Sequence, residues 1–168
     1  MKKLEAINGD KIRALTIDEF LDWSLPFLTK AGVITGTADE IALVKLALPL
    51  IQERIIMLSE VPAMLKFLFV KNFTVEAESV AKITDDASKQ VLQRSLKELE
   101  PLATWNHESI EAALRSSLIE EMGLKPRIAF GAVRIATTGS TISPPLFESM
   151  ELLGKEASLA RIRAGLEL

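Results

Sequence analysis

Lys125-Pro126-Arg127-Ile128-Ala129-Phe130-Gly131-Ala132-Val133-Arg134-Ile135-Ala136-Thr137-Thr138-Gly139-Ser140-Thr141-Ile142-Ser143-Pro144-Pro145-Leu146-Phe147-Glu148-Ser149-Met150-Glu151-Leu152-Leu153-Gly154-Lys155 is the stretch around which the chain is organised. Pro126 suits the first turn of a helix, where a missing N–H costs little. Arg127 and Arg134 are seven apart and project from one face of that helix. Thr138-Gly139 predicts its end. Ser143 reads as the N-cap of a second helix, with Pro144 and Pro145 in its first positions. That helix runs to about Leu153, and Gly154 parts it from a last helix over 155–166. Hydroxyls at Thr137, Thr138, Ser140, Thr141 and Ser143 cluster at the junction. Such a junction suits splayed single-stranded bases and their phosphates. Ordinary capping explains Ser143 equally well and the arginines in part.

Upstream, helical signals continue. Thr16-Ile17-Asp18-Glu19 and Thr37-Ala38-Asp39-Glu40 are capping boxes. The first predicts a helix that buries Ile17, Phe20, Leu21, Leu25 and Leu28, stops at Gly32, and is kinked or split at Pro26. The second predicts a long helix with Ile41, Val44, Leu48, Ile51, Ile55 and Leu58 on one face and, because Pro49 falls inside it, a kink or break near Leu48. Asn8-Gly9 predicts a bend between two short helical turns. Short helices are expected over 64–69 and 75–82. Asp85 and its neighbours cap a helix over 87–103, and Asn106 caps one over 107–122 that ends at Gly123. No alternating β pattern of useful length is present. The expected fold class is all-α, with two helical subdomains: 1–80 and 81–168.

A chain of 168 residues can bury a real core. It has no Cys and one His, His107. Thiol chemistry is therefore excluded, and a His-based triad or metal site has almost no material. The most apolar run, 41–57, is interrupted by Lys45, Gln52, Glu53 and Arg54, so no membrane span is expected. Net charge is −3, but residues 1–123 hold 14 Lys and Arg against 19 Asp and Glu, while residues 124–168 hold 6 against 4. By charge alone this asymmetry is ordinary surface variation. Phosphate-loop, dinucleotide, nucleophile-elbow and zinc-protease motifs are all missing. Glu120-Glu121 and Asp85-Asp86 are neighbours on helices, where side chains point about 100° apart, and read as solvated faces and caps. The chain on its own is expected to be non-catalytic, and its cationic residues point to binding.

The pattern Pro126-Arg127-x-Ala129-x-x-x-Val133-Arg134-x-Ala136-x-Thr138-Gly139, followed by Ser143-Pro144-Pro145-Leu146-Phe147-Glu148-Ser149-x-x-Leu152-Leu153-Gly154-Lys155-Glu156, resembles the C-terminal end of bacterial glutamyl-tRNA synthetases. Lys3-Leu4 with Asn8-Gly9 and Ile12-Arg13 resembles the segment after that family's catalytic half. Arg54-x-x-x-Leu58-x-Glu60-x-Pro62 and the helix from Asn106 to Gly123 resemble further segments, in the same order. The family's two ATP motifs are absent, so the chain resembles the detached tRNA-binding part.

The resemblance implies two helical subdomains forming an anticodon-binding cage. It implies that Arg54 contacts the third anticodon base, C in glutamate tRNA and G in glutamine tRNA. A planar guanidinium matches the O2 and N3 acceptors of an unpaired C, at about 1–3 kcal/mol per good contact. Ser143, Pro144 and Leu146 would lie at the anticodon loop with Arg134 beside them. Ser143 and Pro145 depart from the Thr-Pro-Gly of some family members. Arg127, Lys155 and Arg161 would touch phosphates. The implied partner is a glutamate-accepting tRNA, with glutamine-accepting tRNA also possible. No cofactor is expected here; ATP and Mg²⁺ belong to the absent catalytic half. The expected molecule is a cytoplasmic monomer without DNA or membrane partners. The rival reading is a helical protein–protein interaction module, consistent with the charge and the lack of Tyr for stacking.

Overall fold

The computed structural model describes residues 2–168, with side chains from Ala6 onward. The expected roles of the Lys3 and Leu4 side chains lie outside the described residues. The described chain holds α-helices and short 3-10 and π turns, with no strand among the described residues. It divides into two compact units, one up to Lys71 and one from Asn72 to Leu168, earlier than the 80/81 boundary expected from sequence.

The first unit holds α1 (Lys2–Ala14), α2 (Ile17–Lys30), α3 (Ala38–Ile51) and α4 (Val61–Leu65). Both capping boxes form. Thr16 caps α2 through the Glu19 N–H, and Thr37 caps α3 through the Glu40 N–H. Glu40 Oε2 also accepts the N–H groups of Thr35, Gly36 and Thr37, which holds its carboxyl at about 2. Phe20, Leu28, Val44, Leu48, Ile51, Ile55 and Leu65 fill the core.

Three sequence expectations change here. The Asn8-Gly9 bend does not form: α1 runs through it, and the Asn8 amide reaches forward to the Ile56 carbonyl at 2.6 Å. The split at Pro26 does not occur: Pro26 sits inside a continuous α2. It and Asp22 are exposed, so water can take the carbonyl that proline leaves without a donor. The helix after Thr37 does not reach Leu58. It stops two residues after Pro49, and Gln52 to Arg54 form a turn. That turn is pinned by the Gln52 amide, which donates to the carbonyls of Ile12 and Leu15, both at 2.9 Å.

The second unit holds α5 (Ala77–Val80), α6 (Asp86–Leu99), α7 (His107–Leu114), α8 (Pro126–Thr138), α9 (Leu146–Leu153) and α10 (Lys155–Leu166). Its core joins Ile83, Leu92 and Leu99 to Ile110, Leu114 and Leu118, with Val133, Met150 and Ile162 closing it. Asp85 and Asn106 cap α6 and α7 through the N–H groups of Ser88 and Ser109, as the sequence predicts. α6 ends at Leu99, sooner than expected, and α7 passes into π turns over Arg115–Glu121. Gly123, Gly139 and Gly154 all have positive φ, as helix-ending glycines do.

Candidate nucleic-acid interface

α8 and the turn behind it form the site. Pro126 starts the helix after Lys125, and Gly139 ends it at φ 84°, its N–H donating to the Ile135 carbonyl at 2.8 Å. A Cβ added at Gly139 would also press on the Thr74 carbonyl and the Phe73 ring, at 3.1 and 3.2 Å. Glu76 N–H donates to the Gly139 carbonyl at 2.9 Å, so the 73–76 segment backs the turn directly.

Ser143 does not cap α9. The N-cap position belongs to Pro145, and the helix begins at Leu146. The reason is local: Pro145 disfavours the helical region for the residue before it, so Pro144 cannot open the helix and α9 starts only after Pro145. The Ser143 hydroxyl instead accepts from Arg134 Nη1 and donates to the Pro144 carbonyl at 2.8 Å. Arg134 Nη1 also donates to the Pro144 carbonyl at 2.8 Å. Arg134 thereby ties the end of the turn to the helix that precedes it.

The expected row of free hydroxyls is shorter than the sequence suggests. Thr137 and Thr138 donate back to the Val133 and Arg134 carbonyls, each at 2.8 Å, and both are buried. Thr141 and Ile142 are the turn's outward residues, Ile142 at 74% exposure. Pro144 and Leu146 are buried, Leu146 within the core.

The cations separate into two kinds. Lys155 Nζ donates to the Glu100 and Leu102 carbonyls at 2.8 and 2.7 Å, closing the C-terminal end of α6. Arg161 donates to the Thr137 carbonyl at 2.7 Å and lies over the Phe73 ring at 3.9 Å. Burial pushes its guanidinium down to about 10, still far above neutrality. Arg127, by contrast, faces solvent.

Along α8 runs an open cleft of ≈ 780 Å³ that brings Arg127 and Arg134 together with Lys82, Ser88 and Thr141. Among the described residues no Asp or Glu is part of its lining, and the Asp85 carboxylate accepts from the lining Ser88 hydroxyl at 3.0 Å. Lys82 and Gly131 were not singled out from sequence: a lone Lys in a turn and a Gly inside a helical pattern carry no local signal. Arg54 lies in the first unit, exposed in the turn after α3. Among the described residues no three His, Asp or Glu side chains are grouped to hold a metal ion, and no helix is long and apolar enough to cross a membrane.

Residues 13–166 match the anticodon binding domain family. The chain belongs to that family. It is 46% identical to a glutamate–tRNA ligase of Saccharopolyspora erythraea over 168 residues, covering 98% of this chain and 33% of the relative. A glutamate–tRNA ligase of Leifsonia xyli subsp. xyli is 47% identical, with 96% and 34% covered. The chain thus spans about a third of the length of the curated relatives it matches. A crystal structure of a glutamate tRNA ligase from Elizabethkingia meningosepticum superposes with TM-score 0.75 at 18% identity, over 97% of this chain and 31% of that one. The likeness extends the all-α assignment of this anticodon binding domain to an experimentally determined fold.

Proposed function

We propose that this chain binds the anticodon loop of a tRNA, as the anticodon-reading part of a glutamate–tRNA ligase. The observation that carries this reading is the cleft beside the α8–α9 turn, whose charged lining residues are all cationic, in a chain of net charge −3 that belongs to the anticodon binding domain family. A polyanion is the ligand such a cleft favours. Arg54, exposed in its turn, would read the third anticodon base, favouring C over G through its planar donors. Arg134 and the turn residues Ser143, Pro144 and Leu146 would shape the wall against which the loop is held, while Arg127 engages phosphate. Lys155 and Arg161, committed to internal carbonyls, would support that wall rather than touch RNA.

On this reading the whole enzyme would join L-glutamate to tRNA with ATP and Mg²⁺, in the two thirds of the relatives that lie beyond this chain. The chain alone would bind without aminoacylating, as a cytoplasmic monomer. Acceptance of glutamine tRNA depends on how strictly Arg54 rejects G. Filter binding with a hairpin carrying the glutamate anticodon loop tests the proposal. Affinity above that for a hairpin with a scrambled loop supports it, and equal affinity overturns it. ATP-dependent consumption of glutamate by the chain alone would overturn its non-catalytic part.

A second reading, a protein-docking module, is favoured by one observation. Trp23 on α2 and Leu46 on α3 are 60% and 64% exposed in the first unit. Binding of RNA hairpins that is unaffected by Trp23→Ser or Leu46→Ser would separate that surface from the RNA site.

A further inference from the structure

Two of the chain's glycines lie inside helices of the second unit, and the fold accounts for only one of them. Gly165 on α10 is packed: an added Cβ would stand 3.3 Å from both the Ala136 Cβ and the Leu92 Cδ1. Gly131, in the middle of α8, is different. Its φ is not positive, and an added Cβ would meet nothing within 4 Å. Glycine is the poorest helix former after proline, because it gives up the most backbone freedom. Neither conformation nor packing therefore requires it here. What distinguishes Gly131 is its place: it lines the cleft, on the helix face between Arg127 and Arg134, at spacings of four and three residues. Those two arginines stand roughly 10 Å apart along the axis. Across the cleft, Lys82 comes from the turn after α5 and Ser88 from the first turn of α6.

We propose that Gly131 is the point where the RNA backbone comes closest to α8, with a phosphate held beside it by Lys82 and Arg127. The inference rests on the reading that the ligand is RNA. A missing side chain lets a sugar–phosphate unit lie against the helix, as backbone approach elsewhere depends on glycine. Lys82 supplies a point charge from the facing wall, while the nearby Asp85 carboxylate is occupied by the Ser88 N–H and hydroxyl at 2.9 and 3.0 Å.

The test uses the 168-residue chain, two RNA probes (the glutamate anticodon hairpin and an unstructured oligonucleotide of equal length), and thermal melting. Gly131→Ala is expected to melt higher than wild type and to bind both probes more weakly. Gly131→Leu, which fills the cleft, is expected to lose roughly tenfold or more in affinity for both, the scale of an overpacking penalty. Lys82→Ala is expected to lower the slope of log affinity against log salt by about 0.7, the value for one phosphate contact on a single strand. Wild-type affinity in both Gly131 variants overturns the inference, as does an unchanged slope in Lys82→Ala. A lowered melting temperature for Gly131→Ala also overturns it, because the fold would then need the glycine. If wild type binds both probes equally while Gly131→Leu binds neither, the backbone site stands and the anticodon reading falls.

Discussion

The Arg134 guanidinium donates to the Ser143 hydroxyl nine residues later, and both groups donate to the Pro144 carbonyl at 2.8 Å. Two prolines that push the start of α9 to Leu146 leave Ser143 available to orient an arginine. Ser143→Ala removes a buried acceptor from a partly buried cation and is expected to cost about 1–3 kcal/mol in denaturant unfolding. Ser143→Thr keeps the hydroxyl and should retain more of that stability. The alanine variant is also expected to bind the glutamate anticodon hairpin more weakly, since Arg134 loses its orientation.

Arg161 supports the same turn from behind, through the Thr137 carbonyl and the face of Phe73. Arg161→Ala is expected to lower stability by about 1–2 kcal/mol, from the lost hydrogen bond and cation–π contact. With Arg161 turned inward, the variant should leave the salt dependence of RNA binding unchanged. A lower salt slope would return Arg161 to the phosphate-contacting set.

Gly139 lies under the same loop, and Gly139→Ala tests that packing. The substitution sets an L-residue at φ 84° and drives its Cβ against Thr74 and Phe73. A loss of more than about 1 kcal/mol is expected in chemical denaturation, since alanine gains nothing where φ is positive.

The caps were the most legible features. Thr16, Thr37, Asp85 and Asn106 are local signals, answered within four residues, and all four form. Helix-ending glycines were equally clear, because a positive φ excludes most alternatives. What misled the sequence reading was settled at long range. Asn8-Gly9 stays helical with its amide engaged at Ile56, and the Ser143 hydroxyl, left outside α9 by the two prolines, finds its partner nine residues back in Arg134. The inward commitment of Lys155 to carbonyls more than fifty residues earlier had no local signal either. Arg127 and Arg134 were legible as a pair, since spacing alone puts them on one helix face. Lys82 joins them only once α6 packs beside α8.

The sole histidine predicts a pH dependence. His107 Nδ1 lies 2.6 Å from Glu151 Oε2, which also accepts the His107 N–H at 2.9 Å. The hydrogen bond to Glu151 raises the His107 pKa above 6.5, and the same bond lowers that of Glu151 below 4.5. A raised histidine contributes stability that is complete below 6.5 and lost as pH rises through its folded value. A lowered carboxylate contributes stability that is present above 4.5 and lost as pH falls through its folded value. The ion pair is therefore strongest between about pH 4.5 and 6.5. The melting temperature of wild type minus that of Glu151→Gln should be largest in that window and shrink towards pH 8. A difference that is flat with pH would contradict this.

Arg54 carries the central claim, and one measurement tests it most directly. Affinities of wild type and Arg54→Ala are measured for two hairpins that differ only in C or G at the third anticodon base. Wild type is expected to prefer C by about 5- to 150-fold, the range for one good polar contact, and Arg54→Ala to lose that preference. Equal affinity of wild type for the two hairpins would contradict the claim.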